Sequence, residues 1–156
     1  MPETPKPITF TIRGRLPGKQ SVRVARGHSY MPQKTRAGMD AVRAAFALAA
    51  PPGWEPWNGT VALAVVVQYE PPHSWPQWKR MLSVQRRLAV GRPDCDNVLK
   101  LIGDALNGVA YGDDRQIARA TVERVYGPED VVVLALAFGA GLPRTKAHLE
   151  SEGADE

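Results

Sequence analysis

Five aspartates lie close together in the sequence, within residues 91–117 of a chain that is otherwise basic. They are Asp94, Asp96, Asp104, Asp113 and Asp114, and Lys100 is the only basic residue between the first and the last of them. Gathered carboxylates repel one another and raise each other's pKa unless a cation lies among them. Since hard oxygen ligands favour Mg²⁺ or Mn²⁺, the cluster predicts a Mg²⁺ site in which Mn²⁺ can substitute. A lysine beside such a site could offset charge on a phosphate in a transition state.

The same residues also fit purely structural roles, and their spacing alone leaves both interpretations open. In the structural interpretation, Asp96 caps a helix, Asp104 pairs with Lys100, and Asp113 and Asp114 form a turn.

A helix is expected to carry the first part of the cluster. Asp96 or Asn97 can cap it, and Asn107-Gly108 is a typical helix end. Its apolar residues would be Val98, Leu99, Ile102, Ala105 and Leu106. Lys100 and Asp104 follow Asp96 at intervals of four, so these three side chains should share one helix face.

The second part of the cluster has to come back to the start of this helix. A helix of about twelve residues is roughly 18 Å long. The seven steps from Asn107 to Asp114 can span roughly 23 Å when extended. Asp113 or Asp114 can therefore meet Asp94 and Asp96, provided that the chain reverses at Gly108 and runs back.

The segment RPDCDNVLKLIGDALNGVAYGDDRQI resembles the signature of the RusA family of Holliday junction resolvases. That signature is D-x-D-N, a lysine four residues after the second Asp, then D-A-L-N-G, an aromatic residue and D-D-x-Q-[IV]. The resemblance is close over residues 91–117 and weaker in the flanks, where SWPQWKR and the N-terminal strand-rich region are also similar. One departure is Arg124, where many relatives have a lysine.

The resemblance implies a RusA-like fold and a homodimeric, Mg²⁺-dependent endonuclease that cuts four-way DNA junctions. It assigns the catalytic roles to Asp94, Asp96, Asp114 and Lys100, with Asp113 beside them as a fourth candidate metal ligand. A phage or prophage origin fits the family as well.

Two strongly basic stretches indicate a polyanionic partner. From Arg13 to Arg43 there are eight Lys or Arg residues and one acid, Asp40, and residues 71–93 hold five with no acid. The second stretch also contains Trp75 and Trp78, which could stack on bases or pack inward. The expected DNA contacts are Lys19, Arg23, Arg26, Lys79, Arg80, Arg86, Arg87 and Arg92. The alternative for both stretches is an ordinary solvated basic face.

Periodicity and turn residues predict the elements that must position these groups. Strands are predicted over 8–13, 20–30, 60–69, 116–126 and 131–138, and helices over 35–50, 74–88 and 96–106. The last two strands should form a hairpin across the Gly127–Asp130 turn. Met39, Val42, Phe46 and Leu48 should face the core from the first helix, and Trp54 and Trp57 should cap it. This order predicts an α+β fold with a mixed sheet and two main helices on one face.

Composition limits the class of protein. The 156 residues suit one domain, predicted over 1–140, followed by a polar, aperiodic tail over 141–156. The net charge of +4 and the isoelectric point near 9.5 favour a polyanionic partner. We expect no signal peptide and no membrane span, and the lone Cys95 suits a reducing bacterial cytoplasm.

The sequence therefore predicts a Mg²⁺-dependent, structure-selective endodeoxyribonuclease that resolves Holliday junctions by paired symmetric nicks. A symmetric homodimer would supply the two nicks. The main alternative is a DNA-binding protein without catalysis, whose acidic cluster is structural. An EF-hand is excluded, since a loop counted from Asp94 would put Leu99 where glycine is needed and Ala105 where glutamate belongs.

Overall fold

The described part of the chain covers residues 3–18, 23–87, 89–91 and 93–140 of a computed structural model. Along it run six strands, three α-helices and one short 3-10 helix. They are β1 (Ile8–Arg13), β2 (Arg23–Ala25), β3 (His28–Tyr30), α1 (Gln33–Ala49), β4 (Val61–Tyr69), α2 (Gln77–Arg86), α3 (Cys95–Leu106), the 3-10 helix Asp114–Gln116, β5 (Ile117–Tyr126) and β6 (Val131–Phe138). Lys19, Arg92 and the predicted tail 141–156 lie outside the described residues.

Four of the strands form a mixed sheet in the order β1-β6-β4-β5. Strand β6 is antiparallel to both β1 and β4, whereas β4 and β5 are parallel. Strand β4 is apolar at nearly every position (VALAVVVQY), which suits an inner strand. Because parallel neighbours need a crossover connection, the whole segment 70–116, with α2 and α3, bridges β4 and β5.

The predicted hairpin of the last two strands is wrong, because β4 lies between them. The turn after β5 steps across the end of β4 and is fastened there by three hydrogen bonds. Gly127 N donates to Tyr69 O, Glu70 N donates to an Asp130 carboxylate oxygen, and Gln68 Nε2 donates to Glu129 O, each at 2.9 Å. A short turn alone could not reveal this, because four residues can either close a hairpin or cross one strand.

The predicted α+β architecture is confirmed: α1 and α3 cover one face of the sheet. Alternate residues of β1, β4 and β6 are buried on that face, as the strand period of two requires. Phe46 of α1 meets Phe10 of β1 edge to face, with ring centroids 5.9 Å apart. Trp54 and Trp57 both pack against Phe138 at the rim, which confirms their predicted capping role.

Several predicted elements need correction. Residues 23–30 form a two-stranded ribbon of β2 and β3 instead of one irregular strand, because Arg26 and Gly27 turn the chain with positive φ. Leu48 of α1 is 91% exposed, since it lies away from the stripe of Met39, Val42 and Phe46. The second helix is shorter than predicted and covers Gln77–Arg86. Within the described residues, no helix is both long and apolar enough to cross a membrane.

Candidate functional site

Asp94 is the N-cap of α3. Its carboxylate accepts a hydrogen bond from Asn97 N at 2.9 Å, while its backbone is extended. The prediction of Asp96 or Asn97 as the cap is therefore wrong by at least two residues. The helix starts earlier because the Asp94 side chain can reach the third backbone N–H after it. The cap fixes the orientation of an exposed carboxylate at the beginning of the helix.

Asp96 and Lys100 form an ion pair one helical turn apart, with 2.9 Å between Lys100 Nζ and an Asp96 oxygen. Both side chains remain more than half exposed. The hydrogen bond and charge of Asp96 raise the pKa of Lys100, and the charge of Asp94 adds to the shift. Asp94, Asp96 and Lys100, here called the α3 start, thus lie within electrostatic reach of one another at the surface.

Residues 113–116, here called the 113–116 turn, use their polar groups to build a local structure. Asp113 caps the 3-10 helix by accepting from Arg115 N at 2.9 Å, and the Arg115 guanidinium bonds both of its oxygens at 3.1 Å. These contacts lower the pKa of Asp113 to about 2. Gln116 accepts from Asp113 N at 2.9 Å and so completes a capping box.

Gln116 also anchors this turn to the connector before β4. Its amide nitrogen donates to Trp57 O at 2.7 Å and to Gly59 O at 2.8 Å. A buried tyrosine, Tyr111, ties the turn to the end of α3, because its hydroxyl donates to Gly103 O at 2.8 Å. Burial raises the pKa of Tyr111, and the charges of Asp114 and Asp104 raise it further. Asp114 therefore shares the surroundings of Tyr111 with Asp104, whereas Asp94 and Asp96 surround Lys100.

The chain does reverse at Gly108, where φ is +75°, but β5 makes the return to the α3 start. Val122 O lies 3.9 Å from Cys95 Sγ, and Arg124 Nη1 lies 2.6 Å from Pro93 O. Among the described residues, no three His, Cys, Asp or Glu side chains form a group that could hold a metal ion. The acidic stretch is thus divided between the two ends of α3.

The donors at the α3 start nevertheless fit a hard cation. Asp94 and Asp96 are both exposed carboxylates in one helical turn. Mg²⁺ is commonly bound through one or two carboxylates together with substrate phosphates, so these two can serve without a dedicated protein cage. Asp113 is a weaker candidate, because Arg115 occupies both of its oxygens.

A groove of about 970 Å³ opens beside Asp94, between the end of β1, the start of α1 and the start of α3. Arg13, Arg15 and Lys34 line it, and Asp94 is the one acidic residue among its described lining residues. Arg15 also lies over the Tyr69 ring, with its guanidinium carbon 5.0 Å from the ring centroid. The groove is thus a cationic path that leads to a carboxylate.

Close packing fixes one wall of this groove against the α3 start. A Cβ atom on Gly18 would lie 2.6 Å from Pro93 Cβ and 3.0 Å from Asn97 Cβ, so only glycine allows the loop to approach this closely. The loop after β1 and the residues around Asp94 therefore form one surface.

The predicted DNA-contacting cations have different surroundings in the structure. Arg26 lies in the β2–β3 turn, and Arg86 and Arg87 lie exposed at the end of α2. Lys79 Nζ lies 4.0 Å from the centroid of the Trp75 ring, which packs on Tyr126. Arg80 is bonded to Glu70 at 3.1 Å and thus has a structural contact. Arg23 begins β2.

Sequence reasoning missed the roles of Gln116 and Arg124. Gln116 belongs to the D-D-x-Q pattern, and that pattern was the only available signal for a capping box. Arg124 interrupts the apolar alternation of β5 at a position opposite Val67, which is fully buried. A cation at such a position signals a specific partner, but the sequence does not show which one.

Comparison with protein families matches residues 15–136 of the chain to the family described as Endodeoxyribonuclease RusA. The matched segment contains both the α3 start and the 113–116 turn. No protein with a curated description matches the chain at a significant level.

Proposed function

The chain belongs to the RusA endodeoxyribonuclease family, and from this premise we propose that it is a divalent-metal-dependent nuclease that resolves four-way DNA junctions by paired symmetric nicks. The family name itself describes cleavage within DNA. Junction specificity, metal dependence and pairing of the nicks are the proposed parts.

The observation that best supports this proposal is the cationic groove that ends at the α3 start. Its cations can follow a phosphate backbone. At its end, Asp94 is followed within two turns of α3 by Asp96 and Lys100. A groove that only bound DNA would gain nothing from two exposed carboxylates at this place, because their charge repels phosphate.

We propose that Asp94 and Asp96 would hold Mg²⁺ or Mn²⁺ together with a DNA phosphate. The family signature also assigns Asp114 and Asp113 to the metal, but in this chain they lie at the other end of α3, so Asp94 and Asp96 are the proposed ligands of this ion. When bound, such an ion supplies Lewis acidity to the phosphate and to the attacking water. The protein positions the carboxylates through the Asp94 cap and the rigid helix. DNA affinity would come from the groove and from Arg26, Lys79, Arg80, Arg86 and Arg87, together with Lys19, Arg23 and Arg92.

Lys100 is proposed to stabilise the transition state. Its ammonium is bonded to Asp96, and like any exposed lysine it is charged at neutral pH. A phosphate brought to the α3 start could accept from the same ammonium, which would offset the charge that develops during cleavage.

Paired nicks require two copies of this site, and a symmetric homodimer provides them. A cruciform plasmid can report this pairing. Two nicks made within one binding event yield linear DNA, whereas independent nicks yield nicked circles first.

The competing function is DNA binding without cleavage, and specific observations favour it. Asp94 caps α3, Asp113 caps the 3-10 helix, and no three acidic groups gather in the described part of the chain. In that case the cationic surfaces alone would define the protein's role.

Incubation of the purified protein with a labelled synthetic four-way junction, with Mg²⁺ and with EDTA, separates the two functions. The proposal expects Mg²⁺-dependent, symmetric nicks in the junction and much slower cleavage of a linear duplex of the same sequence. Binding in both conditions without any cleavage would instead establish the competing function.

A further inference from the structure

Arg124 lies on β5 beside the loop that leads into the α3 start. In the sheet it is aligned with the buried Val67 of β4, so its side chain projects from the same face of the sheet, the one that the helices cover. Its Nη1 donates to two carbonyl oxygens of this loop, Gly91 O and Pro93 O, each at 2.6 Å. Pro93 directly precedes Asp94, so one guanidinium nitrogen holds the chain at the residue before the N-cap.

The backbone of Arg124 holds the preceding residues as well. Arg124 O accepts from Ala89 N at 3.0 Å, and Tyr126 N donates to Arg87 O. The Tyr126 hydroxyl donates to Val90 O at 3.1 Å. Arg87, Ala89, Val90 and Gly91 therefore lie along the outer edge of β5. Arg124 and Tyr126 each contact them through both backbone and side chain, and the Arg124 side chain also bonds Pro93, the residue before Asp94.

The Arg124 guanidinium is suited to holding the Gly91 and Pro93 carbonyl oxygens. Its Nε is completely buried and has no hydrogen-bond partner within the described residues. A buried donor without a hydrogen-bond partner costs stability, so other hydrogen bonds of the Arg124 side chain have to offset that cost. Bonds from a charged donor to two carbonyls supply them, and the planar, always charged guanidinium keeps their direction fixed.

We infer that Arg124 is a positioning residue for the cleavage reaction: it fixes the backbone at Gly91 and Pro93 so that the Asp94 and Asp96 carboxylates hold the geometry that the reaction needs. This inference rests on the proposed function of the α3 start. A displacement of about 1 Å at a reacting group can cost roughly 100-fold in rate, so loss of this contact should reduce nicking strongly.

The test compares Arg124→Met, Arg124→Lys and the matched control Arg119→Met. Arg119 lies on the same strand, is exposed, and pairs with Ala62 on the opposite face of the sheet. Arg124→Met should lower the single-turnover nicking rate about 100-fold and raise the Mg²⁺ concentration needed for half-maximal rate. Its junction affinity in EDTA should stay within about twofold of wild type, since the phosphate contacts remain. Arg124→Lys, which keeps a charged donor, should recover most of the rate, and Arg119→Met should behave as wild type.

Amide hydrogen exchange provides a measurement that does not depend on activity. In Arg124→Met without DNA or metal, the amides of residues 94–97 should exchange about tenfold faster, including the Asn97 amide that Asp94 caps. Amides of β4 should be unchanged. If Arg124→Met does not fold, Arg124→Lys and Arg124→Gln provide the same comparison, with Gln expected to exchange faster than Lys.

Two results would overturn the inference. One is unchanged amide exchange at residues 94–97 together with a wild-type nicking rate. The other is a loss of nicking matched by an equal loss of junction affinity in EDTA, which would make Arg124 a direct DNA contact. If wild-type protein makes no nicks, the proposed function fails, while the exchange data still show whether Arg124 holds the loop.

Discussion

Aspartates lie near both ends of α3, but their carboxylates have different partners and different roles. At the α3 start, Asp94 and Asp96 are exposed and Lys100 is their neighbour. At the 113–116 turn, the Asp113 carboxylate is held by Arg115, and Gln116 ties the turn to the connector before β4. Carboxylates that build local structure are already paired, so the difference predicts chemistry at the α3 start and stability at the turn. The following predictions test that division, beginning with the largest expected effect.

Removal of charge at the α3 start should have the largest effect on nicking. Asp96→Asn keeps the shape of the side chain but weakens cation coordination, so Mg²⁺-dependent nicking should fall by orders of magnitude. Junction affinity in EDTA, measured by gel shift, should hold or rise because a repulsive charge is lost. Asp94→Asn should show the same pattern with little change in melting temperature, since asparagine also caps helices well. Wild-type nicking in both variants would remove the α3 start from the reaction.

Lys100→Ala should lower the nicking rate by roughly 100- to 1,000-fold, the usual cost of losing one transition-state contact. Additional Mg²⁺ should not restore the rate, because the missing group acts on the phosphate and not on the metal. The measurement is a Mg²⁺ titration under single-turnover conditions. Restoration at high Mg²⁺ would instead show that Lys100 only orients Asp96.

A comparison of Asp114→Asn with Asp104→Asn tests the division between chemistry at the α3 start and stability at the 113–116 turn. Both aspartates influence Tyr111, so they share surroundings, and only Asp114 belongs to the ligand set of the family signature. Because both lie at the far end of α3 from Asp94 and Asp96, Asp114→Asn and Asp104→Asn should each affect the melting temperature more than the nicking rate. A strong loss of nicking in Asp114→Asn alone would support the ligand role that the family signature gives it and would contradict the division.

Gln116→Ala should mainly affect stability. The substitution removes the partner of Asp113 N and two hydrogen bonds to the 57–59 connector, and we expect a loss of about 1–3 kcal/mol in urea unfolding. Gln116→Glu keeps the acceptor for Asp113 N but sets a carboxylate oxygen against the Trp57 and Gly59 carbonyl oxygens, so it should destabilise the protein at least as much as alanine. A large change in nicking without a change in stability would contradict the assignment of the turn to structure.

The smallest expected effect is the pH dependence that Asp113 contributes. Its pKa is lowered from an ordinary value of 3.8 to about 2 by the contacts with Arg115. A lowered folded-state pKa stabilises the protein above the unfolded value, and that stability is lost as the pH falls through about 2. Unfolding measured between pH 5 and pH 2 should therefore show a difference between wild type and Asp113→Asn that shrinks toward pH 2. A difference that is constant over this range would mean that the ion pair contributes nothing.

The sequence predicted the parts of the fold that depend on local pattern. Strand β4 and helix α3 were recognisable from their apolar residues, and Asn107-Gly108 marked the end of the helix. The cap was misplaced because Asp94, Asp96 and Asn97 are all good capping residues, and backbone geometry decides among them. The family signature made the candidate residues visible, and the structure describes their positions relative to α3.

The arrangement of the strands could not be read from the same patterns. A four-residue turn after β5 suggested pairing with β6, but the apolar β4 takes the position between them. The Arg124 side chain contacts Gly91, which is 33 residues away in sequence, and the Gln116 side chain contacts Trp57, which is 59 residues away, so no local rule identifies these partners. Contacts of this kind depend on the tertiary fold, and they are the contacts that position the site.

The position of β6 has a consequence for the synthesis of the protein on the ribosome. Strand β6 is the last described strand, yet it lies between β1, the first strand, and β4. Until residues 131–138 emerge, β1 lacks the neighbour with which it pairs in the finished sheet, and α1 lacks part of the surface on which it packs. Chains released early from translation therefore lack a completed sheet beneath the α3 start. Because the closing strand follows every other described element, the described sheet cannot be completed until residue 138 has emerged.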